Sequence, residues 1–310
     1  MKNIHLKART VADIDGQITK ILRGLGDPEP PMDLRLAREL LKLDRGYYST
    51  TDDSLLRETF SRMKVAGLQI LQRPTLLKDA VQTLSLKALY LPDQKRILLD
   101  KDLPLLKHRW NEAHEIGHDI IPWHAGMMFG DNEQTLTPAC HEIMEAEANY
   151  AAGQLLFLSG RFLEEARSFE PALSDVMAMA KRFGNTMTST LWRFAEQAHA
   201  DRPIVALVTG HPHPAKRKAD FNAAEPCRYC VQSPAFVQRF GTTTEIALFD
   251  VITRYSGSQR GGKLGQDDVV LTDANGETHL FRFETFFNGH EALSLGVWMH
   301  PHSVVVSLQR

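Results

Sequence analysis

Cysteine is scarce in this sequence, with three residues in 310. Three thiols cannot form a disulfide framework because one is always left over, so we expect a reducing compartment, the cytoplasm. The sequence also lacks a run of about 18 apolar residues, and its first residues lack the apolar core of a signal peptide, so no membrane span is expected. An excess of one charge is missing too. The 36 Lys and Arg residues against 38 Asp and Glu residues argue against a protein that mainly coats nucleic acid.

Composition and pattern predict an α+β protein of about two domains. The 43% hydrophobic and 24% charged residues are typical of globular proteins and exclude disorder. A proline cluster at 28–31 separates an N-terminal extension, 1–31, from a mainly helical region, 32–200, which contains a small hairpin at 89–99. Strand-like segments prevail in 201–310, including a hairpin with an Asn275–Gly276 turn.

The strongest chemical signal is the pair of histidines His114 and His118, with Glu115 between them. Two histidines four apart on a helix project from the same face, close enough for both imidazoles to bind one Zn²⁺. Zinc lowers the pKa of a bound water molecule to about 7, and Glu115 is suited to take its proton as a general base. The motif therefore predicts a catalytic zinc site.

A catalytic zinc site uses three protein ligands, and two residues are candidates for the third. His124 follows His118 at the spacing of an extended zinc motif, but Ile121 occupies the position where that motif needs glycine. Glu145, on a later helix, is the preferred candidate. Asn149 lies on the same helical face and is expected to hydrogen-bond a ligand histidine. Glu147 is expected to point elsewhere, as a solvated or structural carboxylate.

The sequence resembles the ImmA/IrrE family of metallopeptidases. The hairpin at 89–99, residues 110–118 (WNEAHEIGH), residues 145–152 (EAEANYAA) and the helical pair at 176–193 carry the resemblance. It implies a zincin-like metallopeptidase domain over 32–200, with zinc, or alternatively manganese, bound by His114, His118 and Glu145, and with Glu115 as the general base.

The resemblance further implies an endopeptidase that cleaves a helix-turn-helix transcriptional repressor in a stress or mobile-element response. Such a reaction needs a donor to stabilise the oxyanion, and His108, Tyr150 and His124 are the candidates. The sequence departs from the family where a Met-Pro pair is usual, because residues 155–159 read LLFLS. Residues 201–310 fall outside the resemblance and are predicted to be a β-rich regulatory or sensor domain.

Two weaker patterns suggest other functions. Residues 173–199 resemble a helix-turn-helix, which would suit a DNA-binding or ligand-sensing transcriptional regulator with a structural or non-catalytic metal site. We do not favour DNA binding, because only a few basic residues accompany the segment. The pair Cys227 and Cys230, together with His211 and His213, would suit a second metal or a redox pair, although ordinary thiols are the preferred interpretation.

Overall fold

The computed structural model describes residues 6–48, 88–91, 95–101, 105–124 and 138–302. Contacts between Cα atoms divide the chain into two compact units, Met1–Gly160 and Arg161–Arg310. The boundary that the sequence suggests after residue 200 stays a prediction. None of the helices in these ranges combines enough length with enough apolar character to cross a bilayer. The cytoplasmic location stays a prediction as well.

The first unit combines a small three-stranded sheet with helices in the residues that the structure describes. Its elements are α1 (Ala8–Gly24), α2 (Leu34–Leu41), β1 (Asp44–Tyr48), β2 (Ala88–Leu91), β3 (Arg96–Asp100), α3 (Leu105–Ile120) and α4 (Pro138–Leu156). The strand order is β1-β3-β2, with β1 parallel and β2 antiparallel to β3. The antiparallel pairing of Ala88 with Leu99 confirms the predicted hairpin.

Helices α3 and α4 pack closely because small residues line their contact. A Cβ atom added to Gly117 of α3 would lie 2.8 Å from the backbone oxygen of Ala148 and 3.3 Å from Cβ of Ala151. Ala148, Ala151 and Ala152 of α4 are fully buried. The small side chains therefore bring the two helices together at the level of the second histidine of the motif, His118.

The N-terminal helix α1 packs against α4. It buries Ile14 and Ile18, and its Asp15 accepts a hydrogen bond of 3.0 Å from the hydroxyl of Tyr150 on α4. Gln154, one turn further along α4, donates to the same hydroxyl oxygen at 2.6 Å. The segment before the proline cluster is thus part of the packed unit.

A buried carboxylate joins α3 to its other neighbours. Glu112 is 4% exposed and pairs with Arg38 of α2 at 2.5 Å and with Arg45 of β1 at 3.0 Å. Two cations around one acid offset the cost of burying its charge. These two contacts join the middle of α3 to α2 and β1.

The second unit is built around a five-stranded antiparallel sheet. Its strands are β4 (Ile204–Thr209), β5 (Cys227–Gln232), β6 (Gly262–Thr272), β7 (Thr278–Phe287) and β8 (Ala292–Pro301), in the order β5-β4-β8-β7-β6. Its helices are α5 (Gly160–Arg167), α6 (Leu173–Phe183), α7 (Met187–Arg193), a π-helical turn (Phe194–Ala198), a 3₁₀ turn (Pro214–Lys216), α8 (Pro234–Phe240) and α9 (Glu245–Tyr255). The sheet confirms the predicted strand-rich C-terminal region.

The sequence predicted one feature of the second unit correctly and missed another. The hairpin of β6 and β7 confirms the predicted turn, in which Gly276 adopts a φ of 85° that favours glycine. The sequence predicted no helix within this β-rich region, but α8 and α9 form at 234–255. Ser233 and Thr244 cap these two helices.

Candidate metal centre

Three side chains from α3 and α4 converge on one point. Nε2 of His114 lies 3.2 Å from Nε2 of His118 and 3.2 Å from a carboxylate oxygen of Glu145. Nε2 of His118 lies 3.5 Å from the other oxygen of Glu145. One ligand atom from each residue lies within 4.8 Å of the other two. The structure thus brings together the three residues that the sequence predicts as metal ligands.

The spacing of these atoms fits a divalent cation. Ligands of a tetrahedral zinc ion with bonds of about 2.0–2.2 Å stand roughly 3.3–3.5 Å apart. The observed separations of 3.2, 3.2 and 3.5 Å lie close to this value. Two imidazoles and one carboxylate are also the donor set of many catalytic zinc sites, so the three residues could hold such an ion.

Glu115 lies on α3 beside the first of these histidines. Its side chain is buried, with 6% exposure. Its negative charge is among the causes that raise the pKa of His114, so the carboxylate lies near that ring. The predicted general base therefore stands next to the cluster, on the helix that supplies two of its members.

Charge complementarity within the cluster shifts the pKa of its members. Burial acts to lower the pKa of His114, but the hydrogen bond with Glu145 and the charge of Glu115 raise it above its ordinary value. Burial acts to raise the pKa of Glu145, but hydrogen bonds with His114 and His118 lower it well below its usual range. The cluster therefore keeps Glu145 ionised and ready to bind a cation.

Asn149 orients the first histidine. Its side-chain oxygen lies 3.1 Å from Nδ1 of His114, which is the contact expected from its position one turn after Glu145. A carbonyl oxygen accepts from a protonated Nδ1, so this contact leaves the lone pair of Nε2 directed at the cluster.

His124 and Glu147 occupy positions that the sequence did not indicate. His124 is fully buried, and its two ring nitrogens contact His118 at 2.9 Å and Glu147 at 2.8 Å. Burial and the neighbouring His118 lower the pKa of His124 to about 4. Glu147 is 6% exposed, so the idea of a solvated carboxylate was wrong and that of a structural one holds. Because both nitrogens of His124 contact these side chains, it does not join the cluster as a ligand.

Two of the three predicted oxyanion donors direct their hydrogens at carboxylates. The hydroxyl of Tyr150 donates to Asp15 at 3.0 Å, and His124 lies against Glu147. The ring of His108, the third candidate, lies 6.0 Å from the ring of Tyr47 on β1, measured between centroids. The identity of the oxyanion donor among these three residues stays a prediction.

The second unit contains another group of potential ligands, Asp273, Glu277 and His279. The guanidinium of Arg239 lies among them, 3.4 Å from Asp273 and 3.6 Å from Glu277. Trp298 donates to Nδ1 of His279 at 3.3 Å, which directs the proton on Nε2 toward Asp273 at 3.1 Å. The cation of Arg239 thus takes the place that a metal would need.

Cys227 and Cys230 pack against the hydrophobic core of the second unit. Burial raises the pKa of both thiols, that of Cys230 to about 11, so neither is a ready thiolate. His211 instead contacts the backbone oxygen of Gln259 at 2.9 Å. In the part of the chain that the structure describes, these cysteines and histidines form no group of three potential ligands.

Helices α6 and α7 have the order of a helix-turn-helix, with Gly184 in the left-handed conformation between them. Every residue of α7 is buried or half-buried. A recognition helix must present its side chains to the major groove, and α7 does not do so here. This arrangement agrees with two helices that pack into the second unit.

Comparison with known proteins identifies the segment that contains the motif. Residues 65–194 match the family model of the IrrE N-terminal-like domain, Peptidase_M78. No curated protein matches the chain in sequence. A solved structure described as a Mycobacterium tuberculosis transcriptional regulator is similar over 96% of this chain and 92% of its own. Its identity is 14% and its TM-score 0.49, a likeness too weak to assign a fold or a function.

Proposed function

We propose that the protein is a metal-dependent endopeptidase with a zincin-like core, because residues 65–194 match the family model of the IrrE N-terminal-like domain. The observation that carries the proposal is the convergence of His114, His118 and Glu145, whose ligand atoms lie within 4.8 Å of one another. Zinc is the proposed ion and manganese the alternative, because two imidazoles and a carboxylate suit both.

Each residue of the site has a proposed role. His114, His118 and Glu145 hold the ion, which when bound supplies Lewis acidity and lowers the pKa of a coordinated water molecule. Glu115 accepts a proton as general base and passes it to the amine of the cleaved peptide. Its side chain is buried, and its charge acts on the neighbouring ring of His114. The donor to the oxyanion is one of the three predicted candidates, His108, Tyr150 and His124.

The proposed substrate is a protein, a helix-turn-helix transcriptional repressor, as the family resemblance implies. Residues 201–310 would then regulate the peptidase in a stress or mobile-element response. A transcriptional regulator with a non-catalytic metal site is the rival proposal. Incubating the full chain and zinc or manganese with a candidate helix-turn-helix repressor separates the two. Cleavage detected by mass spectrometry supports the peptidase, whereas an intact repressor in a stable complex contradicts it.

Glu145→Ala is expected to abolish stoichiometric zinc binding, because it removes one of three ligands. Loss of an outer-shell partner costs roughly 10–100-fold in metal affinity, and loss of a ligand should cost more. Metal analysis of the purified protein should find one equivalent of zinc in the wild type and almost none in the variant. Glu142→Ala is the matched control, since Glu142 is an exposed acid three residues earlier on α4. Equal zinc content in Glu145→Ala and the wild type would refute the ligand assignment.

A further inference from the structure

A continuous set of buried contacts leads from the metal cluster into the protein. Nδ1 of His118 lies 2.9 Å from Nδ1 of His124, and Nε2 of His124 lies 2.8 Å from a carboxylate oxygen of Glu147. Trp123 donates its indole hydrogen to the same oxygen at 2.7 Å. The three polar side chains His118, His124 and Glu147 are exposed by 7%, 0% and 6%. Water therefore has little access to these contacts.

The chemistry of the cluster sets the direction of each hydrogen bond. A neutral imidazole that binds a metal through Nε2 carries its proton on Nδ1. His118 must then donate from Nδ1, and Nδ1 of His124 must accept. The proton of His124 consequently lies on Nε2, where it is donated to Glu147. Glu147, an acceptor when ionised, receives hydrogen bonds from His124 and Trp123, so every group in the series has a matching partner.

From this arrangement we propose that His124 and Glu147 are positioning residues for the metal site. They hold His118 in the tautomer whose Nε2 lone pair faces the ion, as Asn149 does for His114. The inference rests on the proposed function, because it assumes that the cluster binds a metal. In this site His124 stands between His118 and the carboxylate of Glu147. In other metal sites a ligand histidine more often contacts a carboxylate or carbonyl directly.

The series also joins the two helices that carry the ligands. His124 lies just after the end of α3, with its backbone nitrogen donating to Ile121 at 3.0 Å. Glu147 lies on α4, two residues after Glu145. A contact between His124 and Glu147 therefore fixes the distance between the helices at the buried end of the cluster. We therefore expect that replacing either residue changes the distance between the two helices and weakens metal binding.

Zinc affinity of the full chain tests the proposal, measured by competition with a chromogenic chelator. His124→Ala is expected to weaken zinc binding by roughly 10–100-fold. His124→Asn should recover most of that loss, because the asparagine oxygen can accept from His118 where Nδ1 of His124 did. Glu147→Leu should weaken binding by a similar factor, and Glu147→Gln by less, because the amide oxygen still accepts from His124 and Trp123.

A matched control separates positioning from general loss of structure. Glu112→Gln alters an equally buried acid of the first unit that pairs with arginines rather than histidines, and it should leave zinc affinity unchanged. Thermal unfolding with a chelator present reports the fold of each metal-free variant. If His124→Ala does not fold, the comparison of Glu147→Leu with Glu147→Gln decides.

The outcomes keep the two proposals distinct. Wild-type affinity in both His124→Ala and Glu147→Leu would overturn the positioning role and leave the metal site intact. The positioning role would also fail if His124→Asn folds but binds zinc no better than His124→Ala, since His124 would then act through packing. A wild type that binds neither zinc nor manganese would overturn the proposed function and this inference together.

Discussion

Glu115→Gln is expected to reduce peptide-bond cleavage by about 10²–10⁴-fold, the range that a general base contributes. The amide of glutamine has nearly the shape of the carboxylate but cannot accept the proton. Because Glu115 lies beside the ligands and is not one of them, the zinc content should stay at one equivalent. Loss of cleavage with retention of metal would therefore separate a peptidase from a protein with a structural zinc site.

The measurement is the rate of repressor cleavage by the full chain with zinc present, together with metal analysis of the same sample. Glu112→Gln serves as the control, since Glu112 is an equally buried acid three residues earlier on α3. It should retain most of the activity. Substantial cleavage by Glu115→Gln would show that another group takes the proton, and the catalytic assignment would have to be abandoned.

Gly117→Ala is expected to lower the free energy of unfolding by about 1–3 kcal/mol, the usual cost of overpacking. The added Cβ would lie 2.8 Å from the backbone oxygen of Ala148, and a backbone atom cannot turn away as a side chain can. Helices α3 and α4 must therefore separate, which moves His118 away from Glu145. We expect zinc affinity to fall along with stability.

Gly16→Ala is the control, because it is expected to raise the free energy of unfolding where Gly117→Ala lowers it. Gly16 lies inside α1 on an exposed face, and a Cβ added there meets no atom within 4 Å. Alanine favours the helix over glycine, so this variant should gain roughly 0.5–1 kcal/mol. Denaturant unfolding of both variants checks the pair. A stabilised Gly117→Ala protein with unchanged zinc affinity would contradict the proposed close contact of the two helices.

Helical spacing explains how the sequence could predict which side chains lie together in the cluster, while their binding of a metal stays a prediction. Residues four apart must share a face, which brings His114 beside His118 and Glu145 beside Asn149. The contact between His124 and Glu147 could not be predicted from helical spacing, because His124 follows the end of α3 and Glu147 lies on α4. Only the packing of α3 on α4 shows that the two residues meet. Burial of Glu147 likewise depends on tertiary contacts.

The fold of the second unit was predicted in part for a similar reason. Alternating residues and the Asn275–Gly276 turn are local signals, and they predicted the β6–β7 hairpin. Helices α8 and α9 carry local signals as well, since Ser233 precedes Pro234 and Thr244 precedes Glu245 at their first turns. Their short lengths and apolar residues made them hard to distinguish from strands by periodicity alone.

The hydrogen bond between Tyr150 and Asp15 bears on how the protein should be shortened for study. A fragment that starts at Met32, after the proline cluster, would lose α1 and uncover the side of α4 that this helix shields. It would also remove Asp15, which accepts a hydrogen bond from Tyr150 on α4, the helix that bears Glu145. A shortened protein intended for crystallisation or screening should therefore keep Ala8–Gly24.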